Sequence, residues 1–158
     1  MPPGSPGAAT NAALIEIYEL TGRYADAVMR RDTDAWLACW STMPRWHLDG
    51  QEVRGREALE ARWTETLERY PLVIHKTHPG PLVLRGGRAR GRCTVEEILR
   101  DGDGNARQVI GVYHDEFENE DRWAFSKRRF DVLLTRPIDL GDAETRAWPE
   151  GLEDFLDI

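Results

Sequence analysis

The chain has 158 residues, with 21 Lys and Arg against 28 Asp and Glu and a formal net charge of −7. That length suits one domain, and 41% hydrophobic residues at a mean hydropathy of −0.57 suit a globule with a real core. The acidic balance argues against nucleic acid, whose phosphates select a basic face, and no apolar run reaches the ~18 residues of a membrane helix.

Residues 1–10, MPPGSPGAAT, have neither a basic start nor an apolar stretch. They read as a disordered lead-in rather than a secretory signal, and the cytoplasm is the expected address. The domain is expected over residues 11–136. Its first helix is predicted from Thr10 or Asn11, with Leu14, Ile17, Tyr18, Thr21, Ala25, Val28 and Met29 recurring along one face. Asp32-Thr33-Asp34 breaks it and caps a short second helix carrying Trp36, Leu37 and Trp40, which Pro44 ends. Arg45 to Asp49 alternates like a strand and turns at Gly50. After Gly55 a third helix presents Ala58, Leu59, Trp63, Leu67 and Tyr70 as a buried stripe, and Pro71 stops it.

From there the period is two. Leu72 to Thr77 and Pro81 to Arg85 read as strands, with Gly86-Gly87 as a hairpin turn. Arg88 to Arg100 aims Ala89, Gly91, Cys93, Val95 and Glu97 inward. Asp101 to Asn105 is a turn cluster, and strands follow over Gln108 to Glu118 and Trp123 to Thr135. Residues 137–158 form an acidic tail whose Trp148, Phe155 and Leu156 make it a candidate lid. Helices followed by consecutive antiparallel strands define an α+β protein.

Most motifs have bland explanations. Asp101, Asp103 and Asn105 imitate a calcium loop, but Ala106 and Val112 stand where its Gly and Glu belong, so this is a turn. His75 and His78 are three apart, which puts them on opposite faces of a strand, and no metal site is expected. Cys39 and Cys93 read as small buried hydrophobes. Arg85, Arg88, Arg90 and Arg92 form a solvated strand face. No Gly-x-Ser-x-Gly elbow or Gly-rich phosphate loop occurs. Acid–base chemistry remains. Glu97 sits on an otherwise apolar face, Tyr113 and Asp115 share a face with Gly111 and Phe117, and His75 shares one with Val73 and Thr77. Desolvated carboxylates and imidazoles are the groups that move protons near neutrality. The alternative is that Glu97 and Asp115 form structural ion pairs with Arg128 or Arg129.

Five segments carry a resemblance: Tyr24-Ala-Asp-Ala-Val-Met-Arg-Arg-Asp32, Trp36 with Cys39-Trp40, Gly55-Arg-Glu-Ala58, Gly111-Val-Tyr113-His-Asp115 and Trp123-Ala-Phe-Ser-Lys-Arg128. In order and spacing the chain from Asn11 to Thr135 resembles the SnoaL-like family of the nuclear transport factor 2-like superfamily. The resemblance implies a cone: a curved mixed or antiparallel sheet wrapped around three N-terminal helices, an internal pocket, and often a homodimer through the sheet. Relatives include polyketide cyclases, scytalone dehydratase, ketosteroid isomerase, limonene-epoxide hydrolase and a dehydrochlorinase, none of which uses a cofactor.

The implied activity is a cofactor-independent lyase, isomerase or cyclase acting by acid–base chemistry on a hydrophobic, oxygenated small molecule. The alternative is a non-catalytic binding or assembly protein, since fold alone does not select a reaction. In the dehydratase and dehydrochlorinase branches an Asp of the first helix pairs with a strand His. The His position matches His75, with His78 as the alternative, while the Asp position falls on Met29; Asp26 and Asp32 flank it at offsets of three, Asp32 reading as a helix cap and Asp26 as the better substitute. The expected catalytic residues are therefore His75, Asp26, Glu97, Asp115 and Tyr113. Tyr24, Met29, Trp40, Trp46 and His78 are expected around the ligand, with no metal and no cofactor. Of the six tryptophans, Trp36, Trp63 and Trp123 are assigned to the core, Trp148 to the lid, and Trp40 and Trp46 to the pocket wall.

Overall fold

The computed structural model describes residues 7–152 and 155–156. Three helices, α1 (Ala8–Arg30), α2 (Thr33–Ala38) and α3 (Arg56–Arg69), pack with six strands. The strands are β1 (Trp40–Leu48), β2 (Gln51–Arg54), β3 (Leu72–Arg85), β4 (Arg88–Arg100), β5 (Ala106–Asn119) and β6 (Trp123–Ile138). They form one curved, open sheet in the order β2-β1-β6-β5-β4-β3, in which β1 and β6 are parallel and every other pair is antiparallel. This is the α+β cone that the resemblance implied. No helix among the described residues is long and apolar enough to cross a membrane.

The junction of α1 and α2 shows how local chemistry sets the geometry. Arg31 adopts the left-handed conformation (φ 58°, ψ 34°) in which Gly usually ends a helix. The N–H groups of Arg31 and Asp32 then return to the carbonyls of Val28 and Ala27. Asp32 caps α2 by accepting the Ala35 N–H at 2.9 Å. The Arg31 guanidinium reaches across to the carbonyls of Leu67 and Tyr70, tying the end of α1 to the end of α3. Tyr70 is thereby fixed at the open end of the cone.

Several sequence expectations need correction. The lead-in is shorter than expected: Ala8 to Thr10 already belong to α1, and residues 1–6 lie outside the described residues. The buried stripe of α1 is Ile17, Leu20, Thr21, Tyr24, Ala27 and Val28, while Tyr18 is exposed. Trp40 opens β1 instead of closing α2, and Pro44 lies within that strand, where the ladder to β6 changes register. Proline cannot donate to a ladder and is tolerated at such an interruption. The two short strands expected over Leu72 to Arg85 are one, with a register shift between Pro79 and Leu82. That strand is the sheet edge, where Pro79-Gly80-Pro81 leaves few bonds unmade. Ala58 is exposed; Leu59 and Trp63 bury α3.

The core is aromatic. Trp36, fully buried, stacks on Trp63 with ring centroids 4.4 Å apart and planes 14° from parallel. Trp40, Trp46 and Tyr24 meet Trp36 at tilted or edge-on angles. Each such pair contributes about 0.5–1.5 kcal/mol beyond simple burial. The tail after Ile138 runs over the surface: Trp148, Phe155 and Leu156 are exposed.

Candidate active site

The open end of the cone leads into a cavity of about 400 Å³ between the sheet, α1 and α3. Its inner walls come from Tyr24 and Val28 of α1, Trp46 of β1, Trp63 of α3, Tyr113 of β5 and Phe130 of β6. His75 and Glu97 are the titratable groups on its β3–β4 side. The two residues are direct cross-strand partners, which is why their side chains emerge side by side on one face.

His75 Nδ1 lies 2.7 Å from Glu97 Oε1. The imidazole is sealed in (2% exposed) while the carboxylate is the more open member (20%). An ionised Glu97 accepts only, so the arrangement makes Nδ1 the donor and leaves the lone pair on Nε2. Nε2 is buried and has no hydrogen-bond partner among the described residues. Behind the ring, the backbone N–H of His75 donates to Met29 Sδ at 3.0 Å.

A second layer supports this wall. Arg128, wholly buried, gives a bidentate pair of bonds to Asp115 (2.8 and 3.1 Å). Its guanidinium lies 3.7 Å from the Tyr113 ring centroid, 4.1 Å from Phe125 and 4.3 Å from Tyr24. Burial pushes the Asp115 carboxyl above its ordinary range, and Arg128 opposes that. Burial also raises the Tyr24 phenol, and raises Tyr113 well above the ordinary phenol range; the nearby Glu97 carboxylate adds to both effects. Both phenols therefore hold their protons at neutral pH and can act only as neutral partners to a ligand oxygen.

The sequence-predicted site residues divide cleanly. The structure brings His75, Glu97, Tyr113, Tyr24 and Trp46 to the cavity. Asp26 is not there: its carboxylate is held by Arg30 at 2.8 Å on the outer side of α1. At about 100° per residue, a position two removed from both Tyr24 and Val28 points away from the face they share. Asp115 serves Arg128 rather than the cavity, as the ion-pair alternative anticipated, whereas Glu97 pairs with a histidine instead of an arginine. Met29 contributes a sulfur to the His75 backbone and does not line the cavity. Trp40 is buried among the aromatic core, not in the wall. His78 is exposed, on the opposite face from His75. Trp63, assigned to the core, also faces the cavity; its indole N–H donates to Thr33 Oγ1 at 2.9 Å. Sequence reasoning missed the mouth, formed by Arg62, Arg69, Tyr70 and Arg107; its one signal was Tyr70, placed between the end of a helical stripe and a proline. Among the described residues, none of those lining the cavity belongs to the tail.

The SnoaL-like domain family matches residues 10–129, most of the chain and all of the site described except Phe130. The chain belongs to the SnoaL-like family. Solved structures agree on the fold of this SnoaL-like protein. A hexachlorocyclohexane dehydrochlorinase, LinA type 2, is 21% identical with a TM-score of 0.73, covering 90% of this chain and 95% of that one. A candidate scytalone dehydratase from Novosphingobium aromaticivorans DSM 12444 is 17% identical with a TM-score of 0.74, covering 89% and 95%. Rv3472 from Mycobacterium tuberculosis, a protein of unknown function solved as its D26N variant, is 24% identical with a TM-score of 0.63, covering 75% of each chain. At these identities the likeness is one of fold. No curated protein matches the chain.

Proposed function

We propose that this SnoaL-like protein is a cofactor-independent acid–base enzyme of the lyase or isomerase type, acting on a hydrophobic, oxygenated small molecule. The observation that carries this reading is the 2.7 Å contact between His75 and Glu97 on the wall of an aromatic cavity. Glu97, the more open member, takes a proton from substrate carbon; His75 orients it through Nδ1–H and bears the charge rearrangement. The same proton then returns to another substrate atom, or leaves with a departing oxygen. The neutral phenols of Tyr113 and Tyr24 face the developing oxyanion. Two of the structural neighbours carry names of elimination enzymes, a dehydratase and a dehydrochlorinase, which supports the reaction class.

The test is a panel of apolar ketones and β-hydroxy carbonyl compounds incubated in heavy water and followed by proton NMR. Wild-type protein is expected to exchange an α-hydrogen or expel water from at least one compound. Glu97→Gln is expected to lose about 10²–10⁴-fold of that rate. Full activity in Glu97→Gln would sink the assignment. The rival reading, a non-catalytic binding protein, draws on Met29 at the position where the resemblance puts an aspartate; inertness across the panel would favour it. A homodimer through the sheet is proposed as well, supported by the exposure of Leu133 and Leu134 on β6. Light scattering that returns only the 18.1 kDa monomer would exclude it.

A further inference from the structure

Two guanidinium groups at the cavity mouth have no acid. Arg69, the last residue of α3, and Arg107, near the start of β5, each contact the ring of Tyr70, with their central carbons 5.3 and 5.4 Å from its centroid. Arg107 Nη2 also donates to the Tyr70 hydroxyl. Neither arginine has a carboxylate within ion-pair distance among the described residues, although both line the cavity. The third arginine of the mouth, Arg62, is held by Asp49 at 3.3 Å and by Glu65 at 3.6 Å.

Other arginines, Arg85, Arg88 and Arg92 among them, also lack an ion pair among the described residues; what sets Arg69 and Arg107 apart is that both line the cavity and both contact one ring. Placing two like charges on one aromatic ring without a counter-ion costs electrostatic energy, partly offset by the attraction of each for the ring face. Tyr70 is itself nearly buried and anchored by Arg31 to its carbonyl at 2.9 Å. It is thus a fixed platform, and the guanidinium pair it carries is preorganised at the rim. A guanidinium is the side chain best matched in geometry to a planar oxyanion. The same cavity is lined by the apolar and aromatic side chains of Leu67, Val73, Trp63 and Phe130 and by the Glu97 carboxylate.

We infer that the ligand of this cavity is an apolar acid: a hydrophobic, ring-sized body that enters the cone, with a carboxylate held at the mouth between Arg69 and Arg107. The inference rests on the cavity being the substrate site, as proposed above, and adds the chemical class of that substrate. It also fixes the direction of binding, since the acid group stays outside while the carbon to be deprotonated lies deeper, toward Glu97. The body would displace water from the tryptophan walls and the carboxylate would complete the charge of the rim.

The experiment compares 2-naphthoate with its neutral isostere 2-naphthamide, using the fluorescence of Trp46 and Trp63 and calorimetry on the full chain. Two charge-assisted hydrogen bonds predict that the acid binds about ten-fold or more tightly than the amide, and that added salt narrows the gap. Arg69→Gln and Arg107→Gln together are expected to abolish the preference, with circular dichroism confirming the fold. Arg69→Gln alone, at an exposed helix end, keeps the test valid if the double variant fails to fold, and should reduce the preference by itself. Equal affinity for acid and amide, binding of neither, or an acid preference that survives the arginine substitutions would each overturn the inference. Glu97→Gln separates the two claims. It should lose proton transfer and retain the acid preference, so undiminished proton transfer with an intact acid preference indicts only the catalytic reading, and lost proton transfer with no acid preference indicts only this one.

Discussion

The backbone N–H of His75 donates to Met29 Sδ at 3.0 Å while the ring of the same residue turns to Glu97. Met29 holds the helix position where the family resemblance puts an aspartate for the histidine. The thioether contacts the strand but cannot orient an imidazole, and the carboxylate comes instead from the adjacent strand. A cross-strand partner is rigidly placed, because the register that pairs His75 with Glu97 is fixed by the surrounding ladder. His75 and Glu97 thus form a histidine–carboxylate pair whose members both come from the sheet.

The tautomer follows from that contact. In the neutral ring of His75 the proton is expected on Nδ1, giving nitrogen-15 shifts with Nδ1 protonated and Nε2 free. Glu97→Gln removes the acceptor-only partner and should let the ring sample the other tautomer. A wild-type spectrum with the proton on Nε2 would contradict the geometry.

Asp115 and Arg128 are predicted to matter for stability and for the shape of the wall. Asp115→Asn leaves a buried guanidinium without its counter-charge, and a loss of about 3–5 kcal/mol is expected in urea unfolding. Replacing both partners with apolar residues of similar size, as in Asp115→Leu with Arg128→Met, should recover much of it. An unchanged unfolding midpoint for Asp115→Asn would show that the pair is not carrying Tyr24, Tyr113 and Phe125.

Gly111 has room for nothing larger. A methyl there would collide with the Phe130 ring and lie 2.8 Å from the Asp131 carbonyl. Because Phe130 lines the cavity, Gly111→Ala should both destabilise the fold, by about 1–3 kcal/mol, and weaken ligand binding. Wild-type stability and affinity together would mean that β6 yields freely.

Burial pushes the Cys39 thiol from 9.0 up to about 11, with Arg23, Arg128 and Arg122 opposing the shift. A raised pKa means that the folded state holds the proton more tightly. Its contribution to stability is therefore complete below about pH 9 and is lost as pH climbs through 11. An aromatic disulfide reagent at pH 8 should leave the native thiol unmodified for minutes and label it at once in denaturant. Rapid labelling of native protein would refute this.

Comparing elements shows where sequence suffices. The hairpin from β3 to β4 was legible because Gly86-Gly87 and strict alternation leave one register in which Ala89, Cys93 and Val95 are all buried. Glu97 and His75 could be placed on inward faces for the same reason. Their mutual contact could not, because the register set at the Gly86-Gly87 turn shifts by one between Pro79 and Leu82, and counting from the turn alone would set His75 opposite Ile98 instead of Glu97. Asp26 failed for the opposite cause: as an i,i+4 partner of Arg30 it was satisfied locally, on a helix face that only packing against β3 could turn outward.

The amino-acid sequence by itself determined the α+β class, the three helices, the main turns and the inward aim of His75, Glu97 and Tyr113, because these depend on periodicity and on local backbone chemistry; it missed β2 and divided β3. Only the tertiary structure decided that Glu97 rather than Asp26 partners His75, that Asp115 belongs to Arg128, and that Arg69 and Arg107 both contact Tyr70. Each of those relations joins residues from different elements. Their distances are set by how the sheet curves around its helices, which is a property of the packed core and not of any one segment.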